Sequence, residues 1–523
     1  MRVFGAKYNG GVTLTFSQDY PFRIRTGKRA NNLPELVSAF EALAAQCWGA
    51  AGNVQPFDRS QLYDLALLSQ RVAVMAGIKC NKVTEARALS SAGRALIELG
   101  FFAAGADFRL RASEMFLALG ERKKCAVEAN YAAGAYFRAG LIDQGKELTA
   151  RAVEIFKGNE SFKEVAQCLA YGGENLLKAG RIREGREYFY QASEVFRNIL
   201  KDFRGEAVCF CDCASRLNKE GEKKAAGIVS ACAAGLFEKI GDIRRQAQEL
   251  SFAGGYLIEA GEIEPGVVLR KRAAKLYLSL EDQESLRQAA QVYSYSARSL
   301  PKKGHEAISA ELQMAAADIF ECIGEEFEQA VCLYYTGRGL INTPKKGQGI
   351  KLLLKAEEIF TRRGLKKWLA NTISFLGVYL IESGDIRAGV ESRLRAAKIF
   401  AEIGDFLSQA LELSHAGASL MAIKEFAEGA ALRLQAADIF EMIGDKKEAG
   451  GNLYYAATAL RDAKKYEEAA VCAVRGALLA RERGDLNNCL SSLRVARSCY
   501  ERAGMLEEEA QTDEYIRTVL GGT

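Results

Sequence analysis

Hydrophobic positions along this chain return on a fixed interval. The phrase "AADIFECIGEEFEQA" (316–330) comes back as "AAKIFAEIGDFLSQA" (396–410) and again as "AADIFEMIGDKKEAG" (436–450). The aromatic of each small-x3-aromatic phrase stands at Phe116, Phe156, Phe196, Phe237, Tyr277, Phe320, Phe360, Phe400 and Phe440, in steps of 40, 40, 41, 40, 43, 40, 40 and 40. Ala76 and Ala480 carry the series one step further at each end. A second series runs between these positions: Gly93, Ala133, Gly173, Ala214, Gly254, Ala297, Gly337, Gly377, Gly417 and Ala457. Large apolar residues recur three after and mostly four before it, with alanine seven before, as in Ala410, Leu413, Gly417 and Leu420. Those offsets fall on one side of a 3.6-residue helix. Each unit is therefore expected to hold two amphipathic helices, A and then B, repeated about eleven times with caps.

The punctuation fits. Gly241-Asp242, Gly404-Asp405, Gly444-Asp445 and Gly484-Asp485 separate B from the next A. Glycine ends a helix in the left-handed region and aspartate caps the one that follows; Asp445 with Glu448 has capping-box spacing. A small residue also recurs early in helix B (Gly105, Gly145, Gly185, Gly266, Gly349, Gly389 and Gly429), where close helix crossings need one. A single hairpin cannot bury its apolar stripe, so neighbouring units must stack into a solenoid with a continuous core. The extra residues behind the steps of 41 and 43 are expected in B–A loops, at 198–207 and 279–289, with local changes of pitch there and no domain break.

The small-then-aromatic ladder resembles the tetratricopeptide (TPR) family, although the usual TPR unit is shorter and its signature tryptophan is missing. Phrases such as "AADIFEMIGDKKEA" followed by "YYAATALRDAKKYEEA" look most like the α-SNAP group of TPR-like adaptors over roughly residues 60–520. The entry segment, from "NNLPELVSAFEALAAQCW" to "EARALSSAGRALIELG", has a looser likeness to the family of the huntingtin-associated TPR-like protein. The expected fold is all-α: a right-handed superhelical TPR-like α-solenoid of about twelve helix hairpins over residues 32–502. A polar capping helix and tail are expected at 503–523. Residues 1–31 lie outside the repeat, and Asn9-Gly10 between two β-prone runs reads as a short β-hairpin leader.

Composition narrows the function classes. Among 523 residues, 49% are hydrophobic, 26% are charged and only six are proline, values of a helical globular chain. The net charge of +5 is too small to point to nucleic acid. Thirteen scattered cysteines read as reduced thiols in a cytoplasmic or nuclear compartment. No signal-like or membrane-spanning apolar run stands out.

Chemistry is sparse. The two histidines, His305 in a turn and His415 on a helix A, suit a loop residue and a packing or groove-lining residue. No HExxH, GxSxG or GxxxxGK[ST] motif occurs. In "CFCDC" only Cys209 and Cys213 share a helix face, and two thiolates do not close a zinc site. No catalytic, cofactor or metal residues are expected, and the chain is not expected to be an enzyme. On helix B, Arg111, Arg151 and Lys355 precede Glu114, Glu154 and Glu358 by three residues, the spacing of exposed ion pairs; a membrane- or acid-binding stripe is the alternative.

In TPR-like proteins, residues beside the Gly/Ala position of helix A line the groove. That register selects Ser294, Arg298, Lys302, Tyr334 and Arg338, with Tyr454 further along, as a basic and aromatic partner-binding surface suited to an acidic peptide. The first expectation is a non-enzymatic scaffold or adaptor for protein partners. The resemblances imply vesicle trafficking, with peripheral membrane association, or a stable complex with a large helical-repeat, huntingtin-like protein. The alternatives are a SNAP-like fusion adaptor recruiting an AAA ATPase, which the tail "YIRTVLGGT" does not match, and a regulatory module sensing a ligand or nucleic acid.

Overall fold

A computed structural model describes residues 33–48, 59–301, 304–341 and 343–521. The expected leader at 1–31 lies outside them, as does Lys302. The described residues form twenty-four α-helices and no strand. The chain divides into two compact units, residues 1–269 and 270–523. The first carries α1 (Leu33–Trp48), α2 (Arg59–Ile78), α3 (Lys82–Glu98), α4 (Phe102–Ala118), α5 (Arg122–Arg138), α6 (Ile142–Gly158), α7 (Phe162–Lys178), α8 (Ile182–Glu194), α9 (Phe203–Lys219), α10 (Lys223–Lys239) and α11 (Ile243–Glu259). The boundary falls in α12 (Ile263–Leu278). The second carries α13 (Gln283–Ser299), α14 (Glu306–Cys322), α15 (Glu326–Leu340), α16 (Lys346–Arg362), α17 (Lys366–Glu382), α18 (Ile386–Glu402), α19 (Phe406–Ala422), α20 (Phe426–Met442), α21 (Lys446–Asp462), α22 (Tyr466–Glu482), α23 (Leu486–Ala503) and α24 (Leu506–Gly521). Odd-numbered helices from α3 are type A and even-numbered ones type B.

The turn chemistry sets this regularity. Asp242, Asp385, Asp405, Asp445 and Asp485 each accept, through the side chain, the backbone N–H three residues on. Before each of them sits a glycine at positive φ, from 71° at Gly484 to 95° at Gly384. The aromatic that marks helix B supplies the carbonyl closing the turn: Asp405 N–H donates to Phe400 O and Asp445 N–H to Phe440 O. The same side chain fills the inter-repeat core. Phe440 is fully buried with Ala397 of α18, Ala410 and Leu413 of α19, and Ala449 of α21. One such burial is worth about 1.5–3 kcal/mol, and each repeat draws it from its neighbours.

The two irregular steps fall at the expected B–A junctions but are taken up in helix and not in loops. From α3 onward helix starts are 20 residues apart, except 21 from Ile182 to Phe203 and 23 from Gln283 to Glu306. The single extra residue is absorbed in a π-turn at Val195–Leu200 that extends α8, with Lys201 left-handed behind it. The turn bond from Asp202 still reaches Phe196 O, now six residues back where five is usual. The three extra residues of the longer step lie ahead of the α13–α14 crossing, in the expected 279–289 stretch: Asp282 still caps α13 five residues after Tyr277, Ala297 still meets Ser309 twelve residues on, and α13 begins about one turn earlier than the other A helices.

Some of the exposed charges pair across repeats, and others keep i,i+3 spacing with a different partner. Lys355 meets Glu321 at 3.1 Å and Arg395 meets Glu357 at 3.2 Å, both across repeats, while Glu154 pairs with Lys157. Packing of consecutive B helices puts these side chains side by side.

Candidate protein-interaction surface

Glycines bring helices A and B close enough to fix side-chain positions on the A face. A Cβ built on Gly417 would lie 2.7 Å from the Gly429 carbonyl oxygen, and one on Gly429 would lie 2.8 Å from that of Gly417. Gly377 and Gly389 repeat the arrangement at 2.9 and 2.7 Å, and Gly337 and Gly349 at 2.8 Å both ways.

Above these crossings lies a recurring polar node. In the first unit Arg109 of α4 binds Glu128 of α5 at 2.6 Å and Ser90 of α3 at 3.2 Å, and Ser90 also donates to Glu128 at 2.8 Å. In the second unit Arg393 of α18 binds Glu412 of α19 at 2.8 Å, and Ser374 of α17 donates to Glu412 at 2.6 Å. One repeat on, Arg433 of α20 binds Ser414 of α19 and Asn452 of α21 at 3.1 and 3.0 Å. The Nε atoms of these three arginines are buried without an acceptor, so each node carries a desolvation cost.

An aromatic or imidazole ring covers each node, nine residues past the helix A start. The Arg109 guanidinium lies 4.8 Å from the Tyr131 ring and that of Arg433 lies 4.9 Å from the Tyr455 ring. His415 holds this position beside Arg393. Packing against its inner edge, with the Arg393 and Arg433 guanidiniums beside it, holds the imidazole below the ordinary histidine range despite Glu412. It is therefore neutral at pH 7. Tyr335 and Phe375 continue the series, and the Arg338 guanidinium sits 4.7 Å from the Phe375 ring. The second unit thus carries Tyr335, Phe375, His415 and Tyr455 at one register on α15, α17, α19 and α21. The sequence reading looked one residue to the side, at Tyr334 and Tyr454, and missed this row. Its signal is present: each member stands two before Gly337, Gly377, Gly417 or Ala457.

The individually predicted residues divide. Tyr334 and Arg338 are joined, guanidinium to phenol at 3.2 Å, and Tyr334 packs edge-on to Trp368 at 5.7 Å. Tyr334 is buried and Arg338 exposed. Ser294 and Arg298 keep the register the sequence assigned them. The Ser309 hydroxyl of α14 meets Ala297 O at 3.2 Å, twelve residues apart as Gly337 and Gly349 are, so Ala297 holds the crossing position. Ser294, three before it, is buried: it accepts from the Cys332 thiol at 3.7 Å and offers its carbonyl to Gln313 at 3.4 Å, at the sequence spacings of the Ser90 node. Arg298 is exposed over Tyr295 of its own helix at 4.7 Å. Tyr454, on α21, packs edge-on to Tyr455 at 5.7 Å and belongs with the Arg433 node.

No group of three His, Cys, Asp or Glu side chains among the described residues is placed to hold a metal. Burial pushes the thiols of Cys168, Cys209 and Cys213 up to about 12, and raises Cys211 further with the Glu249 carboxylate beside it. Unfolded thiols ionise near ~8.5, so above that pH the unfolded chain holds fewer protons and folding is penalised. Thermal melts are expected to be insensitive to these groups between pH 7 and 8 and to fall as pH rises from about 8.5 to 10.5. At pH 8, iodoacetamide should label exposed Cys80, Cys232 and Cys322 ahead of them. Equal labelling of buried and exposed thiols in the native protein would contradict this burial.

The architecture defines the class: a helical-repeat protein of the TPR-like solenoid type, with a forty-residue unit. No protein-family model matches the sequence, and no curated protein matches it. Among solved structures the chain is similar to RapI in its apo form, at 12% identity over 73% of this chain and 98% of that one, with a TM-score of 0.36. It is also similar to a signal transduction ATPase with a tetratricopeptide repeat sensor from Pyrococcus horikoshii, at 12% identity over 88% and 75%, TM-score 0.36. A third is BtubC from P. vanneervenii, at 13% identity over 46% and 91%, TM-score 0.27. No helix among the described residues is long and apolar enough to cross a membrane.

Proposed function

We propose that this chain is a non-enzymatic scaffold that docks a protein partner on its helix A face. The observation that carries the reading is the row Tyr335, Phe375, His415 and Tyr455, backed by Arg338, Arg393 and Arg433. Aromatic and arginine side chains give large contact area at low entropic cost and anchor protein interfaces. Rings packed against guanidiniums lose little further freedom on binding. A row repeating at one residue per hairpin suits an extended segment better than a compact ligand, and its cationic backing favours acidic side chains in that segment.

Two settings follow from the sequence resemblances: vesicle trafficking, where a SNAP-like adaptor would recruit an AAA ATPase, and a stable complex with a large helical-repeat protein. Purification under native conditions with quantitative mass spectrometry separates them. One large stoichiometric partner supports the complex, and a SNARE and ATPase set supports the adaptor. In either case Arg338→Glu and Phe375→Ala should each reduce recovery by about tenfold. Unchanged recovery from both variants would remove the A face as the docking surface.

A further inference from the structure

The B helices carry a second feature, a groove of about 600 Å³ lined by Arg387, Val390, Glu391 and Leu394 of α18, Leu420 of α19, and Glu428, Ala431 and Leu432 of α20. It opens where α20 has a short side chain and the preceding B helices have long ones. Five residues past the helix start, α14, α16 and α18 carry Glu311, Lys351 and Glu391, whereas α20 carries Ala431. The floor is aliphatic, since Val390 and Leu420 are buried and Leu394 and Leu432 pack beside them. The rim is charged and unbalanced. Arg387 is paired with Glu425. Glu391 and Glu428 are exposed, and neither meets a cation within 4.0 Å among the described residues. Elsewhere on these helices some acidic side chains are neutralised across repeats, as Glu357 is by Arg395 and Asp438 by Arg475.

An aliphatic trough between two uncompensated carboxylates fits one chemistry. We propose that this groove docks a partner segment placing a branched aliphatic side chain between lysines or arginines. The aliphatic group would fill the hollow over Ala431, and the cations would meet Glu391 and Glu428. This inference rests on the scaffold reading but uses the other set of helices. The protein would then hold two segments of opposite charge preference, an acidic one on the A face and a basic one here.

The test is fluorescence anisotropy with the full chain and a labelled Lys-Leu-Arg-Leu-Lys peptide. Three further probes accompany it: Glu-Leu-Glu-Leu-Glu, the apolar-free Lys-Ser-Arg-Ser-Lys, and the same basic peptide in the presence of Arg338→Glu protein. The basic aliphatic peptide should bind saturably, and both control peptides should bind about tenfold more weakly or worse. Glu391→Lys/Glu428→Lys and, separately, Ala431→Phe, which fills the hollow, should each weaken it by about tenfold. Both changes are at exposed positions, and unchanged helical circular dichroism will confirm folding. Arg338→Glu should leave this binding unchanged even if it abolishes partner recovery, which separates failure of this site from failure of the A face. Absence of saturable binding, equal binding of Lys-Ser-Arg-Ser-Lys, or wild-type affinity in the Ala431→Phe protein would overturn the proposal.

Discussion

Gly417→Ala is expected to destabilise the α19–α20 hairpin by about 2 kcal/mol, while Gly451→Ala, one repeat away, should stabilise its helix by about 0.5–1 kcal/mol. The chemical change is the same and the surroundings decide the sign. At Gly417 the new methyl carbon would sit 2.7 Å from the backbone oxygen of Gly429 and 3.0 Å from Arg433 Cγ. A carbonyl within a helix cannot swing aside, so the two helices must part. Overpacking of that kind costs about 1–3 kcal/mol, and separating the helices also disturbs the Arg433 node; together these outweigh the propensity gain. At Gly451 nothing lies within 4 Å of the built Cβ, so only the propensity gain remains. Because repeat arrays can open locally, the difference should be read from native-state hydrogen exchange of α19 and α20 as well as from urea melts. Equal effects at the two glycines would show that the crossings are looser than described.

Arg109→Met should cost about 3–5 kcal/mol, and the double variant Arg109→Met/Glu128→Leu should recover most of that loss. The pair is buried, with side-chain exposures of 7% and 9%. Removing the guanidinium alone leaves Glu128 with only the Ser90 hydroxyl, and a buried carboxylate without a cation is strongly disfavoured. Removing both charges restores an apolar junction of similar volume. The double variant also strips the cation from beneath the Tyr131 ring, so it should recover folding without recovering the ring's fixed position. A double-mutant cycle in urea gives both numbers. Additive losses would mean that the two side chains do not interact.

Much of this was legible before any coordinates. The forty-residue spacing of Phe360, Phe400 and Phe440, the Gly-Asp turns and the paired small residues each have one physical meaning, and the helices obey them. The step from Gly254 to Ala297 was legible too: three residues is nearly one helical turn, so the addition lengthens the start of α13 and leaves Ala297 at the crossing with Ser309. The π-turn at Val195–Leu200 was hidden, since one added residue is as easily placed in a loop. The polar nodes had a signal that went unread: Arg109 and Glu128, Arg393 and Glu412, and Arg433 and Asn452 are each separated by 19 residues, the distance at which a B helix meets the next A. The ring row fell one residue from the positions chosen for the groove. That choice followed a family rule for which side chains face inward, and this forty-residue unit turns a different neighbour to the surface. The unpaired carboxylates at Glu391 and Glu428 could not be read at all, because pairing across repeats depends on how far each lysine or arginine reaches.

The most direct measurement is hydrogen exchange of the chain with and without its co-purified partner, resolved to individual helices. Slowed exchange in α15, α17, α19 and α21, the helices bearing Tyr335, Phe375, His415 and Tyr455, is the expected result. Slowed exchange confined to the B helices, or none in either set, would contradict docking on the A face.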